Sequence, residues 1–328
     1  MKALRLYKAF DLRLEKVEDP RPSEGWALIK TVAVGICGTD KAFYTGSYPL
    51  FKSPLIPGHE VAGVVVSRDP LEGSLVTSEI NFPCGKCYYC RMGLYTHCPY
   101  KKTLGIDFDG GFAEYFIAPI QALHTVDYLD PVIATEVEPL AAILNAFEQF
   151  PFTPMSRVAV IGTGNIAYLA TQVLLNMGLQ PIVVARRGSP KATYFKKLNV
   201  DIIYVDEVRE YIARYTLEGL GFDMVFEDSG STEGLELAIE ITRPRGVIHL
   251  KSTPGALFKA DMTKAVVKEL RIIGTRCGTF REFRRSVEML KSGAVKPLIT
   301  SVLHGIENGL EAFKKSLSRE EVKVVLRL

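Results

Sequence analysis

Four cysteines lie close together in the first third of the chain, within the segment FPCGKCYYCRMGLYTHC. They have the spacing C-x2-C-x2-C-x7-C and are Cys84, Cys87, Cys90 and Cys98. Four thiolates, each bound at about 2.3 Å, close a tetrahedral zinc site that has no open position and therefore does no chemistry. Two disulfides or four buried thiols are the alternatives. The N-terminal sequence contains no apolar signal segment, which favours a reducing compartment and a structural zinc.

A second set of potential ligands is spread along the chain. Cys37 lies in GICGTD directly after a predicted strand, His59 and Glu60 begin another strand in PGHEVAG, and Glu138 begins a helix in EPLAA. Sulfur, imidazole and carboxylate together suit a zinc that keeps one position open for water or substrate. Each residue alone has a plainer interpretation as a core thiol, a core histidine or a helix start. Only their combination with the other motifs favours a catalytic metal.

A glycine-rich turn follows the strand RVAVI and precedes the helical pattern NIAYLATQVLL. Gly162 permits a tight turn, and Gly164 lets the backbone approach a pyrophosphate at the helix N-terminus. Ala167 replaces the third glycine of G-x-G-x-x-G and still allows close packing of helix and sheet. Because the strand and the helix supply the required context, the motif predicts a dinucleotide site. Its predicted contacts are Gly162, Thr163, Gly164, Asn165, Ile166, Ala167, Arg186, Arg187 and Ser229.

The next predicted strand, PIVVA, runs directly into Arg186 and Arg187. Enzymes that use NAD place Asp or Glu near this point, where the carboxylate accepts from the ribose 2′-hydroxyl. No carboxylate stands at the tip of this strand, and paired guanidinium groups can bind a 2′-phosphate by charge-assisted hydrogen bonds. We therefore expect NADP as the preferred cofactor and NAD as a possible one. Two solvated arginines are the alternative.

The elements that must position these residues differ between the two parts of the chain. Residues 1–140 contain short strand patterns separated by glycine and proline, as in an all-β lobe: 26–34, 60–66 and 112–118. Residues 141–278 alternate apolar strands with helical patterns, which predicts a parallel sheet covered on both faces; the strands are 157–162, 181–185, 222–227 and 245–250. A helix over 281–291 and a strand, VKVVLRL, complete the chain.

Composition excludes several classes of function. The 328 residues are 47% hydrophobic, and 40 basic against 37 acidic residues give a formal net charge of +3. This balance gives no excess of basic residues of the kind that binds nucleic acid. No apolar run reaches the length of a membrane span. We therefore expect a small-molecule partner, with no nucleic acid and no membrane.

The motifs together resemble the zinc-dependent medium-chain alcohol and polyol dehydrogenases, over essentially the whole chain. They stand in that family's order: GICGTD, GHEVAG, CGKCYYCRMGLYTHC, DGGFAEY, EPLAA and GTGNIA. The resemblance implies an α/β protein with a GroES-like β catalytic domain, residues 1–140 and 279–328. A Rossmann domain with a doubly wound parallel sheet, residues 141–278, would interrupt it, and the active site would lie in the cleft between the two.

The resemblance also implies two zinc ions per chain. The catalytic zinc would be held by Cys37, His59 and a carboxylate from Glu60 or Glu138, and both glutamates are candidates. The family further implies a cytoplasmic homo-oligomer, either a tetramer or a dimer.

Two features bear on the substrate. GICGTDK and the sequence ARR resemble archaeal glucose (aldose) dehydrogenases, although Ala185 replaces the asparagine of their Asn-Arg-Arg motif. GIDFDGGFAEYF and the EPL glutamate resemble threonine and sorbitol dehydrogenases at least as closely. Ala42 and Asn81 stand where threonine dehydrogenases carry histidines, which counts against threonine. We predict hydride transfer from a sugar (an aldose such as glucose) or polyol hydroxyl to NADP. NAD-dependent oxidation of a polyol, a secondary alcohol or L-threonine is the alternative.

The mechanism that the resemblance implies uses zinc as a Lewis acid that lowers the pKa of a bound alcohol. The Thr39 hydroxyl would accept the alcohol proton, and the hydride would pass to C4 of the nicotinamide. Asn81 and Glu114 are predicted substrate contacts. A non-catalytic, zinc-stabilised nucleotide-binding protein is a further alternative, and the complete set of ligand residues argues against it.

Overall fold

The computed structural model describes residues 1–67, 70–258 and 260–328. Within them the chain forms two compact units. The first consists of Met1–Ala141, Cys277–Ser292 and Ile299–Leu328, and the second of Ala142–Arg276 and Gly293–Leu298.

The strands, in chain order, are β1 (Lys2–Lys8), β2 (Asp11–Lys16), β3 (Trp26–Gly35), β4 (Glu60–Val65), β5 (Leu75–Ser78), β6 (Asn81–Phe82), β7 (Lys102–Thr103), β8 (Tyr115–Pro119), β9 (Leu123–Thr125), β10 (Val158–Ile161), β11 (Ile182–Ala185), β12 (Ile202–Tyr204), β13 (Phe222–Glu227), β14 (Thr242–Leu250), β15 (Arg271–Gly274), β16 (Ser301–His304) and β17 (Val324–Arg327).

The α-helices are α1 (Gly38–Thr45), α2 (Tyr88–Arg91), α3 (Pro131–Ala134), α4 (Val137–Gln149), α5 (Asn165–Asn176), α6 (Ala192–Lys196), α7 (Val208–Tyr215), α8 (Gly234–Ile241), α9 (Met262–Val267), α10 (Phe280–Lys291) and α11 (Gly309–Ser316). Short 3-10 turns cover Tyr95–His97, Ile120–Ala122, Leu217–Gly219 and Ile306–Asn308.

The main sheet of the first unit has the strand order β16-β17-β3-β4-β5-β9, and β8 also pairs with β3. Its neighbours are antiparallel except for β16 and β17, which run parallel. The long strand β3 alternates buried and less buried residues, as expected for a sheet with one face on the core. Gly35 at the end of β3 is opposite Glu60 at the start of β4, so this register brings the segments after β3 and before β4 together.

The sheet of the second unit is parallel, with the strand order β12-β11-β10-β13-β14-β15. All residues of β10 are buried, which reflects a sheet covered on both faces. The order reverses at β10, so the carboxyl ends of β10 and β11 lie at the edge where such sheets bind nucleotides. The predicted combination of a β lobe and a doubly wound α/β domain is confirmed.

The segment Gly293–Leu298 is the main departure from the predicted domain bounds, because it belongs to the second unit. Gln172 and Asn176 on α5 explain this assignment. The Gln172 amide donates to the Lys296 carbonyl at 3.1 Å and accepts from the Lys296 N–H at 2.9 Å, while Asn176 donates to the Ala294 carbonyl at 2.7 Å. The predicted bounds were 1–140 and 279–328 for the first domain and 141–278 for the second. No sequence pattern indicated that the chain returns to the second unit at Gly293–Leu298.

No helix in the described residues combines the length and the apolar character that crossing a bilayer requires.

Candidate metal centres and cofactor site

The four cysteines lie between β6 and β7, where α2 begins directly after Cys87. Their sulfur atoms all lie within 4.8 Å of one another. The Cys87 Sγ–Cys90 Sγ distance is 3.4 Å and the Cys87 Sγ–Cys98 Sγ distance is 3.7 Å. These distances are much longer than a disulfide bond and close to the edge of about 3.8 Å in a tetrahedron with 2.3 Å zinc–sulfur bonds. The sulfurs therefore fit a closed zinc site.

The backbone favours the thiolate of Cys84, whereas burial and the neighbouring sulfurs raise the pKa of Cys90 to about 12. Hydrogen bonds from the N–H groups of Lys86 and Cys87 lower the pKa of Cys84 to about 6, against the opposing effect of partial burial. Gly85 and Gly93 adopt positive φ angles of 74° and 76°, which glycine tolerates without a Cβ clash. The loop can therefore direct its cysteine sulfurs, and the N–H groups that bind them, toward the centre of the four-cysteine group.

The second set of ligand candidates lies in the first unit, at the ends of three elements. Cys37 caps the N-terminus of α1, His59 directly precedes β4, and Glu138 lies in the first turn of α4. Thr39 lies in the first turn of α1 and is half-buried. His59 and Glu138 are buried, with 3% and 6% of their surface exposed.

Cys37 and His59 interact directly. Burial raises the pKa of the Cys37 thiol, and the charge of Glu60 raises it further, while His59 opposes both. Burial lowers the pKa of His59, but the charges of Cys37, Asp40 and Glu138 outweigh it, and the pKa is raised well above its usual value. The imidazole thus lies among anionic groups, as a ligand of a divalent cation would.

Asp40 is a residue that the sequence interpretation missed. It is fully buried and accepts hydrogen bonds from the N–H groups of Cys37 at 2.9 Å and Gly58 at 3.1 Å. Its Oδ1 lies 3.9 Å from Nδ1 of His59. Asp40 thereby joins the loop that carries Cys37 to the loop that carries His59. An acidic residue three positions after a helix N-cap is a capping-box pattern, and this was the available signal.

Glu60 points toward a buried lysine. Lys323 Nζ lies 2.5 Å from Glu60 Oε2 and 3.0 Å from Glu136 Oε1, and at most 2% of any of these side chains is exposed. Burial alone would lower the pKa of Lys323, but the charges of Glu136 and Glu60 raise it. Lys323 is therefore a charged group that holds the Glu60 carboxylate, while Glu138 lies near His59. The signal that was missed is the lysine in the apolar strand pattern VKVVLRL.

The donor set fits a divalent cation. Three groups that can carry a positive charge lie in this region: the buried Lys323 and His59 and the half-buried Lys41. The carboxyl groups of four buried residues outnumber them: Asp40, Glu60, Glu136 and Glu138. Unlike the four-cysteine group, no three ligand atoms of this set lie within 4.8 Å of one another in the described part of the chain. Glu60 is paired with Lys323. Zinc bound here would have Cys37, His59 and Glu138 as ligands.

The glycine-rich turn joins β10 to α5 in the second unit. Gly162 has a φ of 128°, and a Cβ there would lie 2.5 Å from the Asp228 carbonyl oxygen, so glycine is required. Gly164 caps α5, whose first residues are Asn165, Ile166 and the fully buried Ala167. The first turn of α5 therefore presents helix N-terminal N–H groups, the kind of group that can bind a pyrophosphate.

The arginines after β11 differ in their surroundings. Arg187 forms ion pairs with Asp206 Oδ2 at 2.8 Å and Glu207 Oε1 at 2.5 Å. Arg186 is exposed, and no ion pair involves it within the described residues. The expectation that no carboxylate stands at the tip of β11 holds for that strand, but the turn after β12 supplies two. Sequence reasoning missed them because it compared only the residues that follow β11.

Three of the remaining predicted contacts, Thr163, Ser229 and Glu114, have internal partners. Thr163 Oγ1 and Ser189 Oγ lie 3.0 Å apart, which ties the glycine turn to the loop after β11. Ser229 donates to Glu227 Oε1 through its N–H at 2.9 Å and its hydroxyl at 2.5 Å. The Glu114 carboxylate accepts from the N–H of Lys2 at 2.6 Å, so it supports β1. Asn81 is buried in β6.

Comparisons with known proteins agree with this architecture. Residues 23–128 match the model of the alcohol dehydrogenase GroES-like domain, and residues 166–292 match that of the zinc-binding dehydrogenases. An L-threonine 3-dehydrogenase from Pyrococcus abyssi is 31% identical over 98% of this chain and 96% of its own. A sorbitol dehydrogenase from Halalkalibacterium halodurans is 30% identical over 95% of this chain and 94% of its own.

A solved zinc-binding dehydrogenase from Sinorhizobium meliloti, bound to NADP, superposes with a TM-score of 0.89 at 28% identity. The match covers 100% of this chain and 99% of that one. The chain belongs to the zinc-dependent medium-chain alcohol and polyol dehydrogenases. It is an oxidoreductase that uses zinc and a nicotinamide dinucleotide.

Proposed function

We propose that this enzyme oxidises a hydroxyl group of a sugar or polyol and transfers the hydride to NADP. The observation that carries the proposal is the set of Cys37, His59 and Glu138, in which a half-buried thiol interacts with a buried imidazole and a buried carboxylate lies close enough to raise the pKa of that imidazole. Zinc bound by three such ligands keeps a position for an alcohol and acts as a Lewis acid.

The protein residues have separate roles in this proposal. Cys37, His59 and Glu138 hold the metal, and Asp40 fixes the two loops that carry the first two. Lys323 holds Glu60 beside the metal site. The Thr39 hydroxyl, on the first turn of α1, would accept the proton that the alcohol loses while passing its own proton toward the cofactor ribose and solvent. The glycine turn and α5 hold the cofactor pyrophosphate, with Arg186 and Arg187 at the ribose.

Two observations support a polyol or sugar as the substrate. Relatives over nearly the full chain include a sorbitol dehydrogenase and a D-arabitol-phosphate dehydrogenase, at 30% and 28% identity. The Glu138 carboxylate in the ligand set also matches the polyol-like motif EPLAA. The exposed arginines after β11 support NADP.

A second candidate is oxidation of L-threonine with NAD. It is favoured by the threonine dehydrogenases from Pyrococcus among the relatives and by the ion pairs that already occupy Arg187. Ala42 and Asn81, where histidines are expected in that branch, count against it.

The deciding experiment measures initial rates of the zinc-loaded enzyme with NAD and with NADP over aldoses, polyols, secondary alcohols and L-threonine. We expect the highest kcat/KM for a sugar or polyol with NADP. A preference for L-threonine with NAD would instead establish the second candidate. Cys37→Ala is the matched inactive control, because it removes a ligand of the proposed catalytic zinc and leaves the cofactor site intact.

We also propose a reducing, cytoplasmic setting and a homo-oligomer, either a tetramer or a dimer. The six free cysteines, of which four form a thiolate metal site, support a reducing compartment. The outermost strand of the parallel sheet, β15, supports assembly, because an edge strand offers unpaired backbone groups to a second copy.

A further inference from the structure

The guanidinium group of Arg187 is bound on one edge by two carboxylates. Its Nε donates to Asp206 Oδ2 at 2.9 Å, and its Nη2 lies 2.8 Å from the same oxygen and 2.5 Å from Glu207 Oε1. The group also lies over the Tyr204 ring, with its central carbon 4.6 Å from the ring centroid. Ring and carboxylates together fix where this side chain points.

The fold brings these groups together. Strands β11 and β12 are parallel neighbours with Ala185 opposite Tyr204, so both strands end at the same edge of the sheet. The Val205 N–H donates to the Ala185 carbonyl at 3.0 Å, which continues the pairing one residue further. The acidic turn after β12 therefore lies directly beside the arginine loop after β11.

This arrangement opposes recognition of a 2′-phosphate. A phosphate is bound most strongly by the paired Nε and Nη2 donors of an arginine, and in Arg187 these donors already serve carboxylates. A dianionic phosphate must either displace Asp206 and Glu207 or approach two negative charges. A ribose 2′-hydroxyl carries no charge and meets neither obstacle.

We propose that Asp206 and Glu207 are specificity-determining residues that restrain the use of a 2′-phosphorylated cofactor by occupying Arg187. The inference rests on the proposed function of the arginine loop as the ribose site. It assigns the greater part of 2′-phosphate binding to Arg186, which has no such partners among the described residues. The difference in affinity between NADP and NAD would then be smaller than it would be if both arginines were free to bind the 2′-phosphate.

The test is the double variant Asp206→Asn/Glu207→Gln in the zinc-loaded, full-length enzyme. Calorimetric titration with NADP⁺ and with NAD⁺ measures binding without turnover. We expect the dissociation constant for NADP⁺ to fall about tenfold, the size of one charge-assisted contact, and that for NAD⁺ to change less than about twofold. Glu210→Gln is the matched control, since it removes one charge from the adjacent helix α7 at a residue paired with Arg214 instead.

A second measurement tests whether the effect acts through Arg187. In an Arg187→Ala background, the double substitution should give a much smaller gain in NADP⁺ affinity. A gain of full size in that background would overturn the proposal, because the carboxylates would then act without occupying the arginine.

Two further outcomes separate this inference from the proposed function. Unchanged or weaker NADP⁺ binding in the double variant overturns the inference alone, provided that Arg186→Ala still weakens NADP⁺ selectively. Equal losses of NADP⁺ and NAD⁺ affinity in Arg186→Ala and Arg187→Ala overturn the NADP assignment, and the inference with it.

Discussion

Lys323 shows how a single side chain distinguishes between two candidate ligands. It is buried between Glu60 and Glu136, and the removal of one partner from a buried ion pair costs about 3–5 kcal/mol. Moving Glu60 away from Lys323 to bind the metal would therefore be energetically costly. Glu138 lies close enough to His59 for its charge to raise the histidine pKa, and it is the carboxylate left for the metal.

The first prediction compares these two glutamates. Glu138→Ala should lower the zinc content of the purified enzyme from two ions to about one and abolish turnover, since a ligand is lost. Glu60→Gln should keep both ions, because Lys323 retains Glu136 as a partner. Elemental analysis measures the content, and the visible spectrum of the cobalt-substituted enzyme reports the ligand set. Loss of an ion in Glu60→Gln but not in Glu138→Ala would reverse the assignment.

The second prediction concerns the two arginines. Arg186→Ala should raise the KM for NADP by roughly ten- to a hundredfold, since a charge-assisted contact contributes about 1.5–3 kcal/mol. Arg187→Ala should raise it less, because its donors already serve Asp206 and Glu207. The KM for NAD and both kcat values should change little. Steady-state kinetics with both cofactors measures this, and equal losses with NAD and NADP would mean that the arginines are structural.

At the scale of elements, strand β14 carries a buried histidine in an aromatic surrounding. His249 is fully buried, and its ring stacks on Phe152 at 4.9 Å with further contacts to Phe147 and Phe226. Burial, assisted by the charge of Lys251, lowers the pKa of His249 to about 4. The folded strand therefore holds a neutral imidazole at any pH near neutrality.

The third prediction follows from that pKa. The unfolded chain protonates His249 below about pH 6.5 and the folded chain only below about pH 4, so stability is lost as the pH falls between these values. The contribution of His249 makes the free energy of unfolding about 2 kcal/mol lower at pH 5 than at pH 7. Urea unfolding at both pH values should show that His249→Phe removes this part of the acid sensitivity. His304→Gln, at an exposed histidine, is the control and should leave the loss unchanged.

The sequence predicts elements well where a strand is a continuous apolar run or a helix spans several turns. The strands at 157–162, 181–185 and 222–227 became β10, β11 and β13, and the helix at 281–291 became α10. Strands β12 and β15 were missed because they are the two edge strands of this sheet, and their partly exposed residues form no long apolar run. Asp40, Lys323 and Asp206 were also missed as parts of sites. Each of these residues contacts a partner that is distant in sequence. A sequence pattern does not show which distant residues come into contact.

At the scale of the whole molecule, the two proposed metal sites differ in closure. The four cysteines surround a point with sulfur alone, whereas the Cys37 site uses mixed ligands and keeps a position open. The fourth prediction is that mild chelation removes one zinc and all activity while the fold remains. Elemental analysis, turnover and circular dichroism on the same sample measure the three quantities.

Variants provide the control for the chelation experiment. Cys37→Ala should behave like the chelated enzyme, with one zinc, a normal fold and no turnover. Cys87→Ala should lose stability first, because binding of a structural metal is coupled to folding. A fully loaded enzyme that contains one zinc per chain would contradict the prediction of two.

The fifth prediction concerns assembly. Val266 and Val267, neighbours on α9, are 74% and 78% exposed, and α9 directly precedes the edge strand β15. Adjoining exposed apolar residues indicate an interface more than a single exposed residue such as Met155 does. Light scattering after gel filtration should give the mass of a dimer or tetramer, and Val267→Lys should lower that mass. Met155→Lys, at a residue 96% exposed, is the matched control and should not. A monomeric wild-type enzyme would exclude the proposed homo-oligomer.

The position of Lys323 in the chain has a consequence for biosynthesis. A ribosome makes Cys37, His59 and Glu138 long before it makes β17, which lies between β16 and β3 and follows directly after Lys323. A nascent chain that ends before residue 323 lacks the lysine that pairs with Glu60 and Glu136 in the folded protein. The four-cysteine loop is local in sequence and can acquire its metal early. The open site can reach its final ligand arrangement only after translation has passed residue 323.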